Sequence, residues 1–187
     1  MTAAPGGGTG TGEEDRVTIG VAIAVPQPFA DELQGLRESF GDPLASAIPT
    51  HVTLLPPTAV PSAAMGAVRR HLAGVSAAGH PFDMRLRGSG TFRPVSPVVF
   101  VTLVQGISQC EQLAAAVRHG PLSVPLQFPY HPHVTVAHHL AEETLDRAFE
   151  ELAGFECRFE AGGFHLYRHG DHDGWRPTRD FPLGGGG

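Results

Sequence analysis

Apolar residues recur along this chain with two different periods, and each change of period marks the start of a new element. Residues 17–25 form a short, almost wholly apolar run, which predicts a buried strand. Pro28 then opens a stretch where Phe29, Leu33, Leu36 and Phe40 recur at helical spacing until Gly41-Asp42-Pro43 stops it. A second helix is predicted from Pro61, with Met65, Val68, Leu72 and Val75 on one face. From Phe82 the period falls to two: Phe82, Met84 and Leu86 point inward, and Asp83, Arg85 and Arg87 point outward, as in a half-buried strand. The run 98–104 is almost wholly apolar and reads as a central strand.

The second half repeats this order. Cys110, Leu113, Ala114 and Val117 predict a helix, as do Leu145, Ala148, Phe149 and Leu152. Phe155, Cys157 and Phe159 then alternate with Glu156, Arg158 and Glu160, the expected counterpart of the Phe82 strand. In each half, one tripeptide sits between two helices: His51-Val52-Thr53 running into Leu54-Leu55, and His133-Val134-Thr135 running into Val136-Ala137. Its β-branched surroundings make each copy a strand, so the histidine and threonine, two residues apart, share a face. Val52, Leu54, Val134 and Val136 are expected to pack on helices while His51, Thr53, His133 and Thr135 face one central cleft. The repeat implies an α+β fold of two lobes related by a pseudo-twofold, each an antiparallel-rich sheet with flanking helices.

Composition narrows the classes of function. The 187 residues are 41% hydrophobic, enough for an ordinary core, and carry a net charge of −6. That charge argues against gripping long nucleic acid by counterion release and leaves an end or a small nucleotide as the nucleic-acid partner. All 13 basic residues are arginine, so a lysyl-nucleotide intermediate and a P-loop lysine are both excluded. The 2 cysteines, Cys110 and Cys157, occupy apolar positions and are expected to be buried free thiols. Residues 1–15, rich in Gly, Thr and Ala and ending in Glu13-Glu14-Asp15, are expected to be a disordered tail. Residues 16–183 are then one bilobal domain and 184–187 a glycine tail. Without a signal peptide or an apolar run of membrane-spanning length, the expected location is the cytoplasm, with no membrane and no obligate protein partner.

Two histidines facing each other suit acid-base work, because imidazole changes charge near neutral pH and one neutral and one protonated ring can coexist. The paired His-x-Thr motifs, the prolines before them (Pro49 and Pro132) and the closing Gly174-Trp175 and Phe181-Pro182-Leu183 resemble the 2H phosphoesterase superfamily. That superfamily includes the 2'-5' RNA ligases and RNA 2',3'-cyclic phosphodiesterases, and the resemblance covers nearly the whole chain. It implies opening of a 2',3'-cyclic phosphate or a 2'-5' phosphodiester in an RNA end or small nucleotide, without metal or organic cofactor. His133 is expected as base and His51 as acid, with the roles exchanged in the reverse reaction. Thr53 and Thr135 would bond the non-bridging oxygens.

Substrate-binding candidates lie around the motifs. Arg93, in the loop 88–94, and Arg168 are candidates for the phosphate-binding cation, and His138 falls where some relatives carry a basic residue. Phe92 and Tyr130, together with Tyr167 and Trp175, are candidates for stacking a base. Three rival readings stay open. They are a nucleotide-binding module without turnover, a metallohydrolase on the His131, His133, His138 and His139 cluster, and a reversible 2'-5' ligase.

Overall fold

The computed structural model describes residues 15–170 and 174–184. The tails expected at the two ends fall almost wholly on residues 1–14 and 185–187, outside the described residues. Among the described residues, eight strands form two four-stranded sheets, in which every paired strand is antiparallel, and four α-helices pack on them. The first half runs β1 (Arg16–Ala24), α1 (Phe29–Ser39), β2 (His51–Pro61), α2 (Met65–Ala78) and β3 (Phe82–Thr91). The second runs β4 (Val98–Gln105), α3 (Ile107–Val117), β5 (His133–His138), α4 (Glu142–Leu152), β6 (Glu156–Ala161), β7 (Gly163–Gly170) and β8 (Gly174–Pro182).

One sheet has the order β2-β1-β7-β8 and the other β5-β4-β3-β6. In both, a motif strand is the edge and the apolar strand that precedes it in the chain is its neighbour. This is the two-lobed α+β architecture that the repeat predicts, with β1-α1-β2-α2 matched by β4-α3-β5-α4. The match ends at the alternating strands. β3 and β6, expected as equivalents in separate lobes, are neighbours in one sheet, with Met84 opposite Phe159 and Leu86 opposite Cys157. Alternation marks a half-buried strand but carries no address for its partner, so it could not distinguish these arrangements.

The helices lock the lobes together. α1 packs on β5 and α3 on β2, so each motif strand is backed by a helix from the other half of the repeat. Val52, Leu54, Val134 and Val136 are fully buried, as their alternation predicts, and Cys110 and Cys157 are buried free thiols. With the two motif strands thus fixed from behind, β2 and β5 approach one another where the sheets meet.

Candidate active site

His51 is the first residue of β2 and His133 the first of β5, and the chain treats them alike. The Nδ1 of His51 lies 2.5 Å from the Pro49 carbonyl, and that of His133 lies 2.7 Å from the His131 carbonyl. A carbonyl oxygen only accepts, so Nδ1 is the donor in both rings, and Nε2 is left to exchange protons. Burial lowers the pKa of His51, against the raising effect of the Pro49 hydrogen bond, and the charge of Arg37 lowers it further. His133 is lowered in the same way, by burial first and then by the charges of His131 and His51. The two imidazoles therefore feel one another across the gap between the sheets.

The threonines join them through the pleat, helped by a matched irregularity. On β2 the pairing jumps from Thr53 (opposite Ala22) to Leu55 (opposite Val21), and on β5 from Thr135 (opposite Phe100) to Ala137 (opposite Val99). Leu54 and Val136 are thus equivalent β-bulges, each directly after its motif. Bulges re-aim the residues that follow them. On β5 the consequence is that His138, three residues from Thr135, lines the same cavity as Thr135, which strict alternation would forbid.

That cavity, about 310 Å³, is lined by His51, Thr53, Thr135 and His138 and lies at the low end of the usual size for small-molecule sites. His133 is not among its described lining residues; its ring is held 4.9 Å from those of both Phe92 and Phe100. Phe100 can lie there because β3 offers Gly90 opposite it, where a Cβ would sit 2.4 Å from the phenyl ring. Burial first, then the charge of His139, lowers the pKa of His138 as well.

The remaining sequence candidates divide. Phe92 touches His133 and His131 and so acts on a motif histidine by packing. Tyr130 donates a hydrogen bond at 2.8 Å to the Thr53 carbonyl and carries Arg118 over its ring, which makes it a brace behind β2. Arg93 does not reach the cavity; its Nη1 is held at 2.8 Å by both Glu142 and Asp146 on α4. Arg168 is exposed, opposite Ile19 at the far end of β7. Among the described residues, no three or more His, Cys, Asp or Glu side chains come together to hold a metal. His138 and His139 meet edge to face, with ring centroids 4.0 Å apart.

One feature of the cavity escaped the sequence reading. Arg37 and Asp42 both line it as a buried ion pair, 3.1 Å apart, and the same guanidinium bonds the Ile48 carbonyl at 2.5 Å. The signal was present: Arg37 shares the apolar face of α1 with Leu33 and Phe40, where a charge has no reason to be unless it is paired. Asp42 had been read only as part of the helix stop. Tyr167 and Trp175, named as candidates for stacking a base, both form cavity wall.

The fold, with its paired His-x-Thr edge strands approaching where the two sheets meet, is that of the 2H phosphoesterases. The chain belongs to the 2'-5' RNA ligase superfamily, whose family model matches residues 25–173. Among curated relatives, "Putative phosphoesterase OB1230" of Oceanobacillus iheyensis is 25% identical over 167 residues, 88% of this chain and 97% of that protein. A like-named protein of Bacillus licheniformis is 26% identical over 88% of this chain and 98% of its own length. The fold is shared with E. coli LigT in complex with 3'-AMP (TM-score 0.65, 21% identity, 90% of this chain and 99% of that one). It is shared equally with the protein TT0787 of Thermus thermophilus (TM-score 0.66, 20% identity, 90% and 98%). Among the described residues, no helix is long and apolar enough to cross a membrane.

Proposed function

We propose that this protein is a phosphodiesterase that opens 2',3'-cyclic phosphates of nucleotides or RNA ends by two-histidine acid-base catalysis without a metal. The observation that carries the reading is the convergence of the two motif strands, with His51, Thr53 and Thr135 on one cavity and His133 two residues before Thr135 on the same strand. In the forward direction Nε2 of His133 takes the proton of the attacking water as its oxygen bonds to phosphorus. Nε2 of His51 gives its proton to the departing ribose oxygen as that P–O bond breaks. The hydroxyls of Thr53 and Thr135 donate to the non-bridging oxygens, on which charge builds. Nucleotide-sized ligands agree with the complexes known for E. coli LigT, which hold 3'-AMP, NADP+ and ATP.

Incubating the protein with nucleoside 2',3'-cyclic phosphates, 2'-5'-linked dinucleotides and RNA ending in a cyclic phosphate, and following phosphorus by NMR, tests this. Conversion of a cyclic phosphate to a single monoester isomer is expected. Tight binding without turnover on the whole panel would instead make the cleft a nucleotide-binding module, and joining of RNA halves would make it a ligase.

A further inference from the structure

The cavity wall also contains the indole of Trp175, whose ring packs edge to face on His169 with centroids 5.1 Å apart. Trp175 belongs to β8, three strands from β2 in sheet order, and strands are spaced about 4.8 Å apart. Yet its indole reaches back across β7 to lie over Gly20 of β1, where a Cβ would stand 3.2 Å from the ring atom Cζ3 and 3.5 Å from the Leu55 carbonyl. A side chain there would push the ring outward by a few tenths of an ångström. Tyr167, opposite Gly20 in the β1–β7 register, lines the same wall, and the indole is only half-buried. A large half-buried aromatic in a cavity wall is poorly explained as core, since it leaves apolar area facing solvent.

The charges of the cavity sharpen the point. Arg37 is the one guanidinium among its described lining residues, and Asp42 already engages it at two nitrogens. No lining guanidinium is left over to grip a phosphate, so apolar contact must supply much of the affinity. We propose that Trp175, on its Gly20 floor, is the platform on which the base of the substrate stacks, so that the ligand of this cleft is a nucleoside phosphate recognised through its base. This rests on the catalytic reading above and narrows it: a sugar cyclic phosphate lacking a base is a poor substrate.

Trp175 is the single tryptophan of the chain, so its fluorescence reports on this site alone. Titrating the wild-type protein with adenosine 3'-monophosphate should quench the emission saturably, whereas ribose 3-phosphate at the same concentrations should not. In kinetics, Trp175→Ala should raise KM for adenosine 2',3'-cyclic phosphate by about 5–150-fold, the range for losing one stacked base, with a much smaller change in kcat. The same variant should lose far less on ribose 2,3-cyclic phosphate. Gly20→Ala, which leaves the indole in place but lifts it from the strand, should weaken the quench in the same direction. An unresponsive fluorescence, or equal losses by Trp175→Ala on substrates with and without a base, would overturn the proposal. If neither cyclic phosphate is turned over, the catalytic reading fails, and the wild-type titration still decides on the platform.

Discussion

At the scale of the residue, the two motif histidines are half-buried imidazoles whose pKa values lie below that of an ordinary histidine, about 6.5. Catalysis by this pair needs one ring neutral and one charged. At pH 7 both are mostly neutral, so the active singly protonated pair grows as the pH falls, until the base is protonated too and the rate drops. The profile of kcat/KM should therefore be a bell with its optimum on the acid side of 6.5, its two apparent values belonging to the pair. An optimum above about pH 8 would contradict it. Thr53→Val and Thr135→Val should keep the shape of the bell and lower its height by up to about 10²–10³-fold, the range for losing a donor to a developing oxyanion. Unchanged height in a steady-state assay would reduce both threonines to strand formers.

At the scale of the element, the segment between α1 and β2 carries Pro49, the hydrogen-bond partner of His51, and the Arg37–Asp42 pair fastens it to α1. Removing one member strands the other charge in the interior. Asp42→Ala should cost about 3–5 kcal/mol in urea unfolding, and the apolar pair Arg37→Met with Asp42→Leu should cost less. A loss under about 1 kcal/mol for Asp42→Ala would show that the guanidinium finds water or another partner. On the other lobe, Gly90→Ala should destabilise by about 1–3 kcal/mol by overpacking. It should also lower turnover, because Phe100 must move and it backs His133. Normal turnover in this variant would show that His133 does not depend on Phe100 for its position.

At the scale of the whole molecule, period and repetition in the sequence were enough for the helices, the motif strands and the two-lobed plan, since each follows from local burial. What lay beyond them depends on contacts between distant segments. Nothing in the alternation of Phe82, Met84 and Leu86 says that their strand pairs with β6, and the bulges at Leu54 and Val136 appear only once β1 and β4 set the register. Arg93, named for its nearness to Phe92, is taken up by two carboxylates of α4, whereas Arg37 and Trp175 reach the cavity from elements far from either motif. The pseudo-twofold is also what makes the chemistry a joint property of both lobes. With both proton transfers assigned to imidazoles, activity should survive exhaustive chelation, and loss restored by zinc would move the chemistry to the His131–His139 segment.

That joint property is open to one direct measurement: turnover of a nucleoside 2',3'-cyclic phosphate by His51→Ala, His133→Ala and the double variant. Each single replacement should lower kcat by about 10²–10⁴-fold, and the double should be little worse than the poorer single, because the two residues act as one unit. Full activity in either single variant, or losses that simply multiply in the double, would contradict a site built from both His-Val-Thr strands.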